Sequence, residues 1–396
     1  MTGADWSGSE RRRLSSVRFT DLLGRSSPRL TIDNLRLTIR GVKVDKRLRD
    51  TVMTRVRTRG EKIRRFITDH VEKHPRDIAK ITAAEFDITR QAVNKHLMRL
   101  VDENALSTQG TTRNRTYHLT PQVEWKRNYK LVADLAEDVV WRDDVAPRLG
   151  QLPENVIEIW HYGFTEMFNN VIDHSEGTRV RIHLERNARS TEIVLSDNGV
   201  GIFVKIQKEL GLLDERHAIL ELAKGKLTTD PKNHTGEGIF FTSRMFDDFN
   251  ILSGGTYFSH KFGEDEDWIL ERGRFDSGTA VWMKINNHTS RTSKKVFDKF
   301  SSPEEYGFTK TVVPVLLAQY GDEKLVSRSQ AKRLLARVDR FKTVIFDFEG
   351  VKAIGQAFAD EIFRVFPQKH PGIELVPVKA NSSVKRMIAR ATSSAA

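Results

Sequence analysis

Phe164-Thr165-Glu166-Met167-Phe168-Asn169-Asn170-Val171-Ile172-Asp173-His174-Ser175 is the stretch on which the reading of this chain turns. It closes an amphipathic helix expected over 154–174, in which Ile157, Trp160, Phe164, Phe168 and Val171 keep the spacing of one buried face. Glu166, Asn170 and His174 lie four residues apart, so they fall on a second stripe with a small angular drift. A carboxylate and an amide one turn apart can share a water and a divalent cation. Alone, such a stripe reads equally well as a solvated helix face.

The residues C-terminal to this helix sharpen the choice. Two strands are expected, at 179–184 and 191–195, and they lead into Ser196-Asp197-Asn198-Gly199-Val200-Gly201-Ile202. By itself that run is a turn signal. A segment rich in Thr, Lys and Asp, expected to be mobile, then ends at His234-Thr235-Gly236-Glu237-Gly238-Ile239, with a helix expected over 240–248. Glycines that open onto a helix N-terminus let backbone N–H groups approach phosphate oxygens.

These three elements, in this order over about residues 155–285, resemble the GHKL ATP-binding superfamily of gyrase, MutL, the heat-shock chaperone and the histidine kinases. The resemblance implies an α/β sandwich that binds ATP with Mg²⁺. Asn170 would hold the magnesium and Asp197 would accept from the adenine amino group. Gly199 and Gly201 would make room for the base, and Gly236 and Gly238 would let a lid wrap the phosphates. Glu166 would stand as general base for attack on the γ-phosphate. The wording of 164–175 is closer to the anti-sigma-factor kinases than to sensor histidine kinases, which commonly have Asn where Glu166 stands. No paired-helix phosphoacceptor domain precedes the site, and His161 reads as a packing or surface histidine. A Walker-type P-loop is absent from the sequence.

N-terminal to this region the charge is uneven. Residues 1–120 carry 26 Lys+Arg against 14 Asp+Glu, which is the whole of the chain's formal +12; residues 121–396 balance at 39 each. A basic segment on a neutral body is the footprint of a module that meets a polyanion, or else a solvated extension. Within it, Ile63, Phe66, Ile67 and Val71 mark one helix, Ile78, Ile81 and Ala84 a second, and Val93, Leu97 and Leu100 a third. A polar hairpin over 108–115 and a strand at 117–119 come next. The pattern resembles the winged helix-turn-helix of bacterial transcription regulators. That resemblance implies a mostly α domain that contacts DNA through Arg90, Gln91, Asn94 and Lys95 of the third helix and Arg113 and Arg115 of the wing. An ordinary three-helix bundle, or a winged helix used only for protein contacts, fits the same pattern.

Beyond residue 305 strands and helices alternate: a strand at 309–317, a helix at 330–338, a strand at 343–348, a helix at 356–366, a strand at 373–378 and a helix at 383–390. Residues 343–366 resemble the STAS domain of anti-sigma-factor antagonists. The serine phosphorylated in that family falls at Ala357, so its hydroxyl is missing; Ser327, Ser329 or a partner's serine stay open. The module reads as a docking surface for a protein partner or as a homodimer contact.

The expected architecture is thus α/β multidomain: a basic extension (1–54), a winged helix (55–120), a helical linker (121–150), a GHKL sandwich (151–290) and a STAS-like α/β module (305–396). The 396 residues contain no cysteine, which excludes disulfides, thiolate zinc and thiol catalysis. No apolar run approaches the roughly 20 residues that span a bilayer, and no signal peptide is evident, so a cytoplasmic protein without membrane contact is expected. Three functions fit: an ATP-responsive DNA-binding regulator, a Ser/Thr kinase of the partner-switching type, or a DNA-stimulated defence or repair ATPase.

Overall fold

A computed structural model describes residues 46–111, 114–227, 236–263, 268–271, 277–302, 305–319 and 324–393. The chain divides into two units, 1–63 and 64–396. In the first, the described backbone is helical, the start of α1 (Lys46–His70).

The second unit opens with the end of α1, then α2 (Ile78–Phe86), α3 (Arg90–Asp102) and an antiparallel hairpin of β1 (Leu106–Gln109) and β2 (Thr116–Leu119). Ile67, Val71, Ile78, Val93, Leu97 and Leu100 are buried together with Leu106. Asp87 adopts φ 48° at the end of α2, and Thr89 caps α3 by accepting from the Ala92 N–H at 3.2 Å. One expectation fails. Ala84 is exposed, and the buried partner of Ile78 is Thr82, one turn on, because the helix presents its i, i+4 stripe inward.

Residues 121–150 are not the expected helical linker. Val123, Trp125 and Tyr129 alternate with exposed Glu124, Lys126, Asn128 and Lys130 in β3 (Val123–Lys130), a period of two that belongs to a strand. Only then come α4 (Glu137–Val140), a π-helical turn at 141–145 and α5 (Ala146–Leu149). The chain continues through α6 (Glu154–His174), β4 (Arg179–Arg186), β5 (Ser190–Asp197), α7 (Ile202–Leu210), α8 (Glu215–Lys224) and α9 (Gly238–Met245). It then forms β6 (Asp248–Ser253), β7 (Thr256–Lys261), β8 (Trp268–Glu271) and β9 (Thr279–Asn286). The segment expected to be mobile after Gly201 is thus largely the helices α7 and α8, and the next helix ends at Met245, since Asp248 already pairs with Lys284 and Lys261.

The seven strands form one antiparallel sheet in the order β3-β4-β5-β9-β6-β7-β8. Val180, Ile182, Leu184, Ile193, Leu195, Met283 and Ile251 are buried against Trp160, Phe164, Met167 and Phe168 of α6. On alternate positions of β5 and β9, Glu192 and Lys284 face each other directly and pair at 3.5 Å.

After α10 (Ser293–Phe300) and the short pair β10 (Ser301–Ser302) and β11 (Glu305–Phe308), a parallel three-stranded sheet is built from β12 (Lys310–Pro314), β13 (Thr343–Asp347) and β14 (Glu374–Val378), in that order. Its helices are α11 (Arg328–Leu335), α12 (Gln356–Asp360), α13 (Phe366–Lys369) after a π-helical turn at 361–365, and α14 (Ser382–Ser393). The apolar core is continuous from the seven-stranded sheet into this one. Phe308 joins them, its ring 4.5 Å from Phe240, 4.9 Å from Phe241 and 5.1 Å from Phe341. Two separate cores, implied by expected boundaries at 290 and 305, are therefore one.

Candidate functional site

A cavity of about 290 Å³ opens between the sheet and α6, α7 and α9. Its body is apolar, with Leu195, Ile206, Leu222, Ile251 and Val281 among its walls. Glu166, Asn170 and His174 enter it from α6, Asp197 from the end of β5, and Gly236 and Gly238 from the start of α9. Glu166 and Gly238, 72 positions apart in sequence, thus meet around one space.

Asp197 is a half-buried acid of this space. Its Oδ1 accepts from the Gly199 N–H at 2.8 Å and the Thr279 N–H at 3.3 Å. Burial holds its carboxyl above the usual aspartate range, and those two backbone donors offset part of that shift. Glu166 sits against the N-terminus of α9: a methyl at Gly238 would overlap its Oε2. Gly236 has φ 72°, and its carbonyl accepts from the Leu227 N–H at 3.1 Å, which pins the two ends of the intervening segment together. Burial likewise raises Glu237, with Lys226 opposing the shift, and it raises Tyr162, where Glu166 and Glu237 add to it.

Gly199 and Gly201 do not line the cavity. A side chain at Gly199 would overlap the carbonyl of Ser175, the residue after α6, and Val200 N–H donates to that carbonyl at 2.9 Å. Gly201 adopts φ 89°. These glycines let the turn lie flat on the end of α6 and enter α7, and so place Asp197. Lys205 is an addition to the expected set. It lines the cavity from α7 while its Nζ donates to the His174 carbonyl and to Glu176, both at 2.9 Å. Its signal is an amphipathic turn beginning directly after Gly201, hidden in a segment expected to be mobile. His161 is exposed, with its ring 5.1 Å from Trp141.

The base of this site is bolted to the C-terminal sheet. Lys224, 1% exposed, donates to Glu221 at 2.6 Å, to the Arg333 carbonyl at 3.0 Å and to the Ala336 carbonyl at 2.8 Å, so it caps the end of α11. Thr311 of β12 donates to the Lys224 carbonyl at 2.6 Å. Lys226 and Arg340 exchange side-chain-to-carbonyl bonds at 3.1 and 2.9 Å. Ala357 lies half-buried in the first turn of α12, and Ser327 caps α11 through a reciprocal pair with Gln330.

On the N-terminal helices, Arg90, Gln91, Asn94 and Lys95 are all exposed along α3, away from its buried stripe. Arg115 is half-buried, with its Nε shielded from solvent and without a hydrogen-bond partner among the described residues. Arg113 lies outside the described residues.

A family model described as a STAS-like domain of unknown function (DUF4325) matches residues 330–385. No characterised protein matches the chain. Among the described residues no helix is long and apolar enough to cross a membrane.

Proposed function

We propose that the chain is an ATP-binding, DNA-binding regulator in which a GHKL-type nucleotide site governs a winged-helix DNA reader and a STAS-like interaction module. The observation that carries the reading is the convergence of Glu166, Asn170, Asp197, Gly236 and Gly238 on one apolar cavity. Its volume lies near the lower end of the range for small-ligand pockets, about 300–1,000 Å³.

The residues present fit the implied ligands. Asp197 ends an apolar slot and is the acceptor an exocyclic amino group requires there. Asn170 supplies an oxygen donor suited to Mg²⁺, which commonly takes only one or two protein ligands and completes its shell with phosphate and water. When bound, magnesium would neutralise charge on the phosphates. The first turn of α9 offers backbone N–H groups to the same end of the cavity. Glu166, packed on Gly238, is the group able to take a proton from a water or hydroxyl there.

That last contact also favours a second reading, a Ser/Thr protein kinase of the partner-switching type, because the same base would serve transfer or hydrolysis. Incubation with γ-labelled ATP separates them: label on a partner protein marks the kinase, and released phosphate alone marks an ATPase switch. Glu166→Ala is expected to keep nucleotide binding and lose either reaction.

Recognition of adenine needs the ionised form of Asp197, and burial raises the pH at which that form is lost. Acidification is therefore expected to weaken binding of adenosine, which carries no phosphate to titrate, at a higher pH than an ordinary aspartate would require. An affinity flat down to the ordinary aspartate range would refute the role of Asp197. For the reader, Arg90→Ala or Lys95→Ala is expected to weaken DNA binding. Each lost phosphate contact lowers the slope of log affinity against log salt by about one. Wild-type behaviour of both variants at moderate salt would exclude α3 as the DNA-contacting element.

A further inference from the structure

We propose that the loop 286–291 is the coupling element between the nucleotide cavity and the DNA reader, an inference that rests on the function proposed above. The loop is tied to three elements at once. From the start of α6, the Asn155 amide donates to the Thr289 carbonyl at 2.9 Å and the Arg291 carbonyl at 2.7 Å. From the end of α9, the Met245 carbonyl accepts from Arg291, whose guanidinium also pairs with Asp247 at 2.8 Å. Asp247 in turn accepts from the Asn286 N–H at 2.6 Å. Toward the N-terminal helices, the Asn286 amide donates to Asp69 on α1 at 3.1 Å. The neighbouring turn adds Arg189, which pairs with Glu72 at 2.5 Å and lies 4.0 Å from Asp69. Buried Asn287 locks the two turns together through the Asn187 carbonyl and Thr191.

Two of the elements bonded to this loop, α6 at its start and α9 at its end, also carry proposed nucleotide residues. α6 brings Glu166 and Asn170, and α9 begins at Gly238 beside Glu166. α9 is eight residues long, about 12 Å, so a displacement at its first turn reaches Met245 almost undiminished. Arg291 cannot absorb that movement by swinging into water. Its side chain is 7% exposed, lies 3.5 Å from the Phe262 ring centroid, and its Nε has no hydrogen-bond partner. A buried polar network of this kind holds or re-forms as a unit rather than stretching. On the side of α1 it ends at the Asn286–Asp69 bond, beside the Arg189–Glu72 pair.

The test reverses that bond. Asn286→Asp keeps the oxygen that accepts from the His288 N–H and sets a carboxylate against Asp69. Adding Asp69→Asn restores one donor and one acceptor with their roles exchanged. The readouts are affinity for a non-hydrolysable ATP analogue with Mg²⁺, and affinity of the full chain for a mixed-sequence duplex at low salt with and without that analogue. In the wild type the analogue is expected to shift DNA affinity by about fivefold or more, the lower range of coupling between sites. In Asn286→Asp the shift should fall below about twofold while analogue affinity stays unchanged, and the double variant should regain it. A full shift in Asn286→Asp, or a double variant no better than Asn286→Asp alone, overturns the proposal. A wild type that binds both ligands without a shift overturns the coupling and leaves both sites standing. A wild type that binds neither overturns the proposed function itself.

Discussion

Lys224→Met is expected to lower the stability of the chain by about 3–5 kcal/mol, the range for removing one partner of a buried ion pair. Methionine fills much of the same volume, so packing is nearly preserved and the loss is electrostatic. Glu221, 5% exposed, would be left with Arg337 at 3.7 Å as its cationic partner among the described residues. The carbonyls of Arg333 and Ala336 would lose the donor that ends α11. Burial holds the Lys224 ammonium below the usual lysine range, with Glu221 opposing that shift. Urea unfolding of the full chain measures the effect. Adding Glu221→Leu should recover part of it, since the uncompensated carboxylate is then gone. A loss under about 1 kcal/mol would mean that the seam between α8 and α11 is held by its apolar contacts alone.

Asp197→Asn is expected to weaken nucleotide binding by at least about 100-fold, some 2.7 kcal/mol, with the fold intact. The geometry explains why so small a change should matter. Oδ1 already accepts from the Gly199 and Thr279 N–H groups, so an asparagine must keep its oxygen there. Its NH₂ then faces the cavity and meets the adenine amino group donor to donor. Asn170→Ala should produce a loss that is largest with Mg²⁺ present and small in its absence. Circular dichroism would confirm that either variant is folded, and equilibrium dialysis with labelled ATP would give the affinities.

Much of this site is legible in the sequence because it depends on spacing within single elements. The stripe Glu166–Asn170 follows from helical geometry, and the strand leading to Asp197 from alternation of apolar residues. Positions that depend on what packs alongside are not legible. Gly199 reads as room for a base, but its need is set by the Ser175 carbonyl, and no local pattern shows that approach. Lys205 sits on a short amphipathic helix directly after a glycine turn, and burial of Phe203 and Ile206 is what stabilises so short an element as a helix. β3 escapes a sequence reading for a related reason: as an edge strand it buries one face only in part, so its alternation is shallow. Phe308, one aromatic outside the quoted motifs, helps to join the core of the two sheets, a contact that no local pattern shows.

The central claim is that the cavity between α6 and α9 takes an adenosine nucleotide. Calorimetric titration of the full chain with a non-hydrolysable ATP analogue and Mg²⁺ tests it most directly. Saturable binding, one analogue per chain, that disappears in Asp197→Asn is the predicted result. No measurable binding at millimolar analogue, or binding untouched by Asp197→Asn, would contradict it.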